Sequence, residues 1–466
     1  MKNIEKYLTN YFKGANNPSL DTMKYFMEEY NNFEKEMKFI HIAGTNGKGS
    51  VVQMISSILV QQGYKVGKFI SPHLVHYNER ISINNQNISD EDLEKIFLEL
   101  EPKISKYNAS SKIPVTFFEL TTIIALLYFY RNNVDFVVLE TGLGGLLDCT
   151  NIISSPLVSI ITSIGFDHVQ ILGNTLPEIA YQKAGIIKEN SNTIFFEQSK
   201  EVNDVFINVC KEKNNKLHLI QNSQITNYHY DLKYQYFDFE NCKDIAVILK
   251  GRKQIQNAAI CIECMKILNS LGYQVDEEST RTGLKAVVHK GRMEILNNNP
   301  LILFDGAHNV PAIQNLQSMI DMYYKDSPKI YVVSILKRKD YKKMVELLMQ
   351  NKNATFIFTS GIDDTRYVSG TELLQIAQNF KSTQKLIIKN LDEAIKYVME
   401  NCQDCVTFFI GSFYTYSFVT EFIKYYKYGT NWNVNLWPVH RKAQKKWAKS
   451  IFTIAHFFYY AIWSFI

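Results

Sequence analysis

The stretch KFIHIAGTNGKGSVVQMISSIL, residues 38–59, sets an apolar run, a glycine-rich turn and a second apolar run in direct succession. Lys38 to Ile42 is compact and β-branched and reads as a buried strand, whereas Val51 to Gln62 has the spacing of a helix. Between them, Gly44-Thr45-Asn46-Gly47-Lys48-Gly49-Ser50 brings backbone N–H groups, a Lys ammonium and a hydroxyl around one concavity. Phosphate groups bind such a concavity, because a helix N-terminus offers unsatisfied donors to an anion. The match to G-x-x-x-x-G-K-[ST] is imperfect: Gly49 separates Lys48 from Ser50, and Ile42 stands five positions before Gly47.

The same rhythm runs on in both directions. Val66 to Ile70, Val134 to Glu140, Leu157 to Ser163 and Thr193 to Phe196 read as further buried strands, with helices at Thr116 to Arg131 and Leu176 to Ala184. Alternation of this kind predicts an α/β fold with a mostly parallel sheet covered on both faces. Tyr228 to Phe239 alternates aromatic and polar residues and predicts an antiparallel hairpin; Gln256 to Ser270 predicts a helix, and Asn297 to Pro300 is polar and patternless. A second α/β run follows, with strands at Leu301 to Phe304, Lys329 to Ile335, Ala354 to Thr359, Lys385 to Ile388 and Val406 to Ile410. The expected division is 1–287, a phosphate-loop domain, then 288–428, a smaller α/β domain, then 429–466, a tail of different composition.

Two more signals fall just past predicted strands, where open α/β sheets gather their ligands. Glu140-Thr141-Gly142-Leu143-Gly144-Gly145 puts a carboxylate before a glycine turn, and Ile164-Gly165-Phe166-Asp167-His168 puts an imidazole at the same sheet edge. Alone, Glu140 reads equally well as structural and His168 reads more readily as a satisfied loop histidine. Beside Glu140 and a phosphate loop, His168 becomes a candidate second-metal ligand.

These residues resemble a known family, the folylpolyglutamate and dihydrofolate synthases of the Mur ligase superfamily. The resemblance covers about residues 38–428 and rests on HIAGTNGKGS (41–50), SPHLVHYNERI (71–81), TFFELTTIIAL (116–126), LETGLGGLLDCTN (139–151), TSIGFDHVQILGNTLPEIAYQKAGIIK (162–188), QNAA (256–259), GRMEIL (291–296), DGAHN (305–309) and GSFY (411–414). It implies a phosphate-loop ATPase domain followed by a Mur-ligase C-terminal domain, with ATP and substrate meeting between them. By motif it implies that Gly47, Lys48, Gly49 and Ser50 bind the ATP phosphates, that Ser71, Glu140 and His168 hold Mg²⁺, and that Lys183 is carbamylated and joins the metal site. From the far side, Asn257, Arg292 and Asp305 would contact the nucleotide; Lys183, Lys48 and His168 are the expected catalytic set. His308 receives no role. Asn78-Glu79-Arg80 would border the folate site, and Phe117 and Phe118 serve equally as a pterin wall or as helix core. Leu146 stands where the family usually has Arg, and Lys337-Arg338-Lys339-Asp340 is more basic than usual.

The implied reaction is ATP- and Mg²⁺-dependent addition of L-glutamate to folate, with dihydropteroate as the other candidate acceptor, through an acyl phosphate. Charge builds on phosphoryl oxygens in such a reaction, so cations and oriented N–H groups are the residue types it needs. Mg²⁺ takes oxygen ligands and keeps water, which suits one Ser and one Glu completed by phosphate. A free Lys183 ammonium could not ligate a cation, whereas a carbamate could. The alternatives are a Mur-type ligase for another acceptor, and a phosphate-loop kinase or nucleotide switch.

Composition bounds the rest. With 466 residues, 46% hydrophobic, 21 Gly and 10 Pro, the chain is neither disordered nor collagen-like. Seven cysteines form no disulfide framework, and Cys261/Cys264 and Cys402/Cys405 read as small buried hydrophobes rather than zinc ligands. The N-terminus lacks an apolar signal core, so the expected compartment is the cytoplasm; the expected state is a monomer. The formal charge of +5 argues for no nucleic-acid partner. All of it lies after Tyr428, in Arg441, Lys442, Lys445, Lys446 and Lys449, so 46 basic residues balance 46 acidic ones before that point. Those five precede Ile451 to Ile466, a run without Asp, Glu, Lys or Arg; any membrane contact would run through this tail as an interfacial anchor, the alternatives being a helix packed on this or another subunit and a tail unrelated to the ligase.

Overall fold

The computed structural model describes residues 19–429, apart from 352–353, 363, 381–384 and 388–389. The tail expectation for 429–466 therefore falls almost wholly outside the described residues. Among those described, no helix is long and apolar enough to cross a membrane.

The first sheet has eight strands: β1 (Phe39–Ala43), β2 (Val66–Phe69), β3 (Ile81–Ile83), β4 (Gln86–Asn87), β5 (Phe136–Glu140), β6 (Val158–Ile161), β7 (Asn192–Phe196) and β8 (Lys216–Ile220). Their order is β4-β3-β2-β5-β1-β6-β7-β8, and every pairing from β2 to β8 is parallel. Separate apolar clusters cover its two faces, one built on the helices Lys48–Gln61 and Arg252–Ser270, the other on Asp90–Ser110 and Phe117–Arg131. This is the predicted α/β architecture. The expected aromatic hairpin is β9 (Ile225–Tyr230) and β10 (Gln235–Phe239), joined by an unforeseen third strand, β11 (Cys242–Val247).

A second, six-stranded sheet follows: β12 (Glu294–Asn298), β13 (Leu301–Asp305), β14 (Lys329–Val333), β15 (Ala354–Phe358), β16 (Lys385–Ile387) and β17 (Val406–Ile410), in the order β12-β13-β17-β14-β15-β16. All its pairings are parallel except β12–β13. The polar stretch at Asn297 to Pro300 is thus the end of an edge strand and its turn. Cys261, Cys264 and Cys402 are buried thiols in the apolar clusters, as expected of small hydrophobes.

The helix after β1 begins at Lys48, three residues earlier than its apolar periodicity indicates. Gly47 precedes it at φ +97°, and the first helical hydrogen bond runs from Val51 N–H to the Gly47 carbonyl at 3.0 Å. The N–H groups of Lys48, Gly49 and Ser50 are consequently left without intrahelical acceptors. Farther along this helix, Gly283 of the helix Glu277–Ala286 presses against its backbone, and a Cβ there would lie 2.6 Å from Ile58 Cα. Gly283→Val should therefore force the two helices apart and lower the urea midpoint, at a cost of about 1–3 kcal/mol typical of overpacking. An unchanged midpoint would show the helices to be freely separable.

Candidate functional site

Both sheets turn their carboxyl ends toward one cleft. From the first come Gly44–Gly47 after β1, Glu140 at the end of β5 and Thr162–His168 after β6; from the second come Asp305 at the end of β13, Lys339 after β14 and Ser412–Tyr414 after β17. A cavity of about 670 Å³ gathers Gly47, Lys48, Gly49, Ser71, Glu140, His168, Lys183 and Arg292. A neighbouring one of about 310 Å³ gathers Gly47, Ser50, Asn257, Arg292 and Asp305. Each residue expected to bind nucleotide or metal or to act in catalysis lines one or the other, with Gly47 and Arg292 common to both.

The loop after β1 is sewn to the stretch after β6. Thr45 N–H donates to the Ser163 carbonyl at 2.8 Å, Ser163 Oγ donates to the Asn46 carbonyl at 3.0 Å, and Thr45 Oγ1 exchanges hydrogen bonds of 3.1 Å with Gly165. Gly44 has φ +149°, and a Cβ there would sit 1.8 Å from Thr162 Oγ1, so only glycine fits. This backbone course presents the Gly44 carbonyl to two ammonium groups. Lys48 Nζ and Lys183 Nζ each donate to it at 3.0 Å.

Lys183 is only 3% exposed. Burial, reinforced by the Lys48 charge, pushes its pKa down to about 7, so the neutral amine is well populated near neutrality. Glu140 is buried too, and desolvation raises its carboxyl to about 7 against the pull of Lys48, the Ser71 N–H and Arg292. The Ser71 N–H donates to Glu140 Oε2 at 3.2 Å, which sets those two residues side by side. His168 sits at φ +52°, and burial holds its imidazole at about 4. Among the described residues no three His, Cys, Asp or Glu side chains form a ready-made metal cage. The donor set suits a hard cation that draws most of its oxygen ligands from substrate. Desolvation of Glu140 outweighs the nearby Lys48 and Arg292 charges, and a divalent cation would add the countercharge that keeps it ionised.

Asn257 is not across the cleft. Its helix, Arg252–Ser270, covers the first sheet, and a Cβ on Gly47 would lie 3.1 Å from Asn257 Oδ1. Arg292 and Asp305 do come from the other wall. Asp305 accepts from the N–H groups of Met293 and Ala307, both at 2.9 Å, and so folds the turn that carries Arg292. The Arg292 guanidinium lies 4.6 Å over the Phe413 ring.

Of Asn78-Glu79-Arg80 only Arg80 lines the cavity. Asn78 bonds to the Ile88 carbonyl and Asp90, while Glu79 accepts from the N–H groups of Leu74, Val75 and His76 as a loop brace. Arg80 is 2% exposed, bonds His73 Nδ1 at 2.9 Å and stands 5.2 Å over the Phe117 ring. Phe117 and Phe118 line the cavity, and Phe118 also packs on Phe69 with ring centroids 5.7 Å apart. Leu146 faces the helix Leu176–Ala184, whose Gln182 carbonyl accepts its N–H at 2.7 Å; Leu143 and Leu147 line the cavity instead.

The residues that tie the two walls together were missed. Asp167 Oδ1 pairs with Lys339 Nζ at 2.6 Å, and its Oδ2 accepts from Asn309 Nδ2 at 3.1 Å. Asn46 and Asn309 exchange amide hydrogen bonds of 3.2 Å. Although burial raises the Asp167 pKa, Lys339, His168 and His308 together hold it well below the carboxylate range. Asp167 and Asn309 both lie within quoted motifs, but nothing in the sequence couples them.

Comparison with known proteins now bears on this geometry. The family description "Mur ligase middle domain" matches residues 42–265, and "Mur ligase, glutamate ligase domain" matches 291–413. A dihydrofolate synthase/folylpolyglutamate synthase of Bacillus subtilis (strain 168) is 36% identical over 338 residues, 71% of this chain and 78% of its own. One from Escherichia coli (strain K12) is 30% identical over 386 residues, 82% of this chain and 86% of its own. The crystal structure of Thermotoga maritima folylpolyglutamate synthase superposes with a TM-score of 0.78 at 32% identity, covering 91% of this chain and 96% of that one. That of E. coli FolC in complex with DHPP and ADP gives 0.79 at 27% identity, covering 91% and 98%.

The Asp167–Lys339 pair yields a prediction. Lys339→Met should leave a buried carboxylate uncompensated and destabilise the protein by about 3 kcal/mol in urea unfolding, with Asp167→Asn in the same chain recovering most of the loss. If the double variant is no more stable than the single one, the two charges are not coupled.

Proposed function

Since the chain belongs to the Mur ligases, in their dihydrofolate synthase/folylpolyglutamate synthase branch, we propose the following roles for the residues of its cleft. The protein is an ATP-dependent, amide-bond-forming ligase of folate metabolism. Residues 1–287 form the ATP- and folate-binding part and 288–428 the glutamate-ligase part, a division supported by the membership of the two sheets. Both walls of the cleft come from one chain, which supports a monomer as the working unit.

The nucleotide lies along Gly47–Ser50, its phosphates on the free N–H groups of the helix start and on Lys48, with Arg292 reaching them from the opposite wall. Asn257 and Asp305 border the smaller cavity, which takes the rest of the nucleotide. The larger cavity, with Phe117 and Phe118 on one side and Arg80 deep within, suits a flat aromatic acceptor that ends in carboxylates. The acceptor is a folate or dihydropteroate. Its carboxylate oxygen attacks the γ-phosphorus, ADP departs, and the amine of L-glutamate then attacks the acyl carbon and releases phosphate. Mg²⁺, held by Ser71, Glu140, His168 and a carbamylated Lys183, would neutralise the phosphoryl oxygens as charge develops on them. The chain's own residues orient and desolvate: Lys48 and Arg292 clamp the phosphates, and the Asp167–Lys339 pair keeps the walls in register.

The observation that carries this reading is the convergence of Lys48 and Lys183 on the Gly44 carbonyl. Two ammonium groups at one oxygen, one of them buried and easily neutralised, favour an anion between them and a Lys183 able to take up CO₂. Three measurements follow. Incubation with ATP, tetrahydrofolate and glutamate should release ADP and phosphate only when glutamate is present; a parallel run with dihydropteroate tests the second acceptor, and glutamate-independent phosphate release would favour the kinase or switch alternative. Lys183→Ala should abolish ligation and regain part of it with a small carboxylate such as formate, while intact-mass analysis in bicarbonate should find a CO₂ increment on the wild-type lysine. Its absence would sink the carbamate. Glu140→Ala should lose Mg²⁺-dependent turnover with wild-type thermal unfolding, whereas a variant that fails to fold would make Glu140 a structural residue.

A further inference from the structure

The hydroxyl of the phosphate loop has a partner that none of the roles above uses. Ser50 Oγ lies 3.1 Å from His289 Nδ1, and Ser50 is 1% exposed. His289 stands on the connection between the helix Glu277–Ala286 and β12, three residues before Arg292.

Its position is fixed from both ends. Behind it, the helix Glu277–Ala286 is locked onto the helix Lys48–Gln61 by the glycine contact at Gly283 and by Ser57 Oγ, which donates to the Gly283 carbonyl at 2.9 Å. Ahead of it, Gly291 N–H bonds Glu294 at 2.6 Å, the Gly291 carbonyl accepts from Gly306 N–H at 2.8 Å, and Met293 N–H bonds Asp305. Between these anchors the imidazole lies against the phosphate loop itself: a Cβ on Gly49 would come within 3.2 Å of His289 Nε2. The absence of a side chain at Gly49 therefore makes room for the ring as well as for a ligand. Burial, with the charges of Arg292 and Lys68 added, keeps the imidazole neutral.

We propose that His289 is a positioning residue, donating Nδ1–H to Ser50 Oγ so that the Ser50 hydroxyl proton is aimed at a phosphate oxygen of the nucleotide. This inference rests on the nucleotide reading of the loop. A hydroxyl has a single proton, and phosphate oxygens only accept, so a Ser50 that donates to phosphate has its oxygen free to receive a donor. Nδ1–H is at the right distance to be that donor. The resulting chain, imidazole to hydroxyl to phosphate, holds the rotor in one orientation before nucleotide arrives. It also ties the phosphate loop to the segment joining the two sheets, so the grip on nucleotide depends on where that segment runs.

The test is binding of the non-hydrolysable analogue β,γ-methylene ATP to the full chain by titration calorimetry, with thermal unfolding as the folding control. His289→Leu should weaken binding about tenfold, the scale of a lost hydrogen bond in a chain that ends on a charged group. His289→Asn, whose amide can donate from nearly the same place, should restore most of the affinity. In a Ser50→Ala background His289→Leu should have no further effect, a result that a merely structural histidine would not give. Wild-type affinity in His289→Leu, additive losses in the double variant, or an Asn variant as weak as Leu would each overturn the proposal. A wild-type chain that binds no nucleotide would overturn the reading of the loop itself, and this inference with it.

Discussion

One carbonyl oxygen organises the cleft: that of Gly44, which accepts from both Lys48 and Lys183. Placing two ammonium groups on one acceptor is costly unless one of them gives up its proton or an anion joins them, and Lys183, its pKa depressed by burial and further by the Lys48 charge, is the one that can give up its proton. The geometry depends on Gly44 being glycine, because its positive φ and the bulk of Thr162 exclude any Cβ. It depends as well on the loop being sewn to the residues after β6. The cationic centre is thus a consequence of how β1 and β6 end, and it would be lost if either strand shifted in register.

That centre is half of a site. The other half arrives from a different sheet, and the ion pair between Asp167 and Lys339, with Asn309 reaching both Asp167 and Asn46, sets how the halves meet. A buried pair of this kind gains little over a hydrophobic contact but is costly to break on one side, so it serves better to specify one arrangement than to stabilise it. For the proposed reaction, with its acyl phosphate to be kept from water, a specified arrangement of walls is the more useful property.

Local pattern made half of this legible in the sequence. The strand, glycine turn and helix of residues 38–59, the carboxylate at Glu140 and the imidazole at His168 all announce themselves within a few residues, because strand ends and glycine turns are short-range features. The early helix start at Lys48 was missed because glycines at 47 and 49 hide helical periodicity. The edge strand β12 was missed because one side of it is solvated and reads as polar. Asp167, Lys339, Asn46, Asn309 and His289 could not be read at all, since each gains its meaning only from a partner on another element: Asn46 from Asn309, Ser50 from His289. Glu79 shows the converse error, a charged residue beside a predicted site whose carboxylate is fully used by its own loop.

Net charge illustrates why placement rather than composition decides the chemistry. Up to Tyr428 the chain has equal numbers of basic and acidic residues, so composition makes the body electrically unremarkable. The larger cavity nevertheless collects Lys48, Arg80, Lys112, Lys183, Arg292, Arg338 and Lys339, against Asp21, Glu119, Glu140, Asp148 and Asp167. Most of these acids are not free counter-ions: Asp167 is paired with Lys339, Glu119 accepts from Thr116, Asp148 accepts from Leu143 N–H and Thr150, and Glu140 is desolvated until it gives up its charge near neutrality. In a low-dielectric cleft, separations of a few ångströms outweigh any balance taken over the whole surface. A neutral body can therefore hold a cationic pocket, and groups such as phosphate and carboxylate are what such a pocket favours.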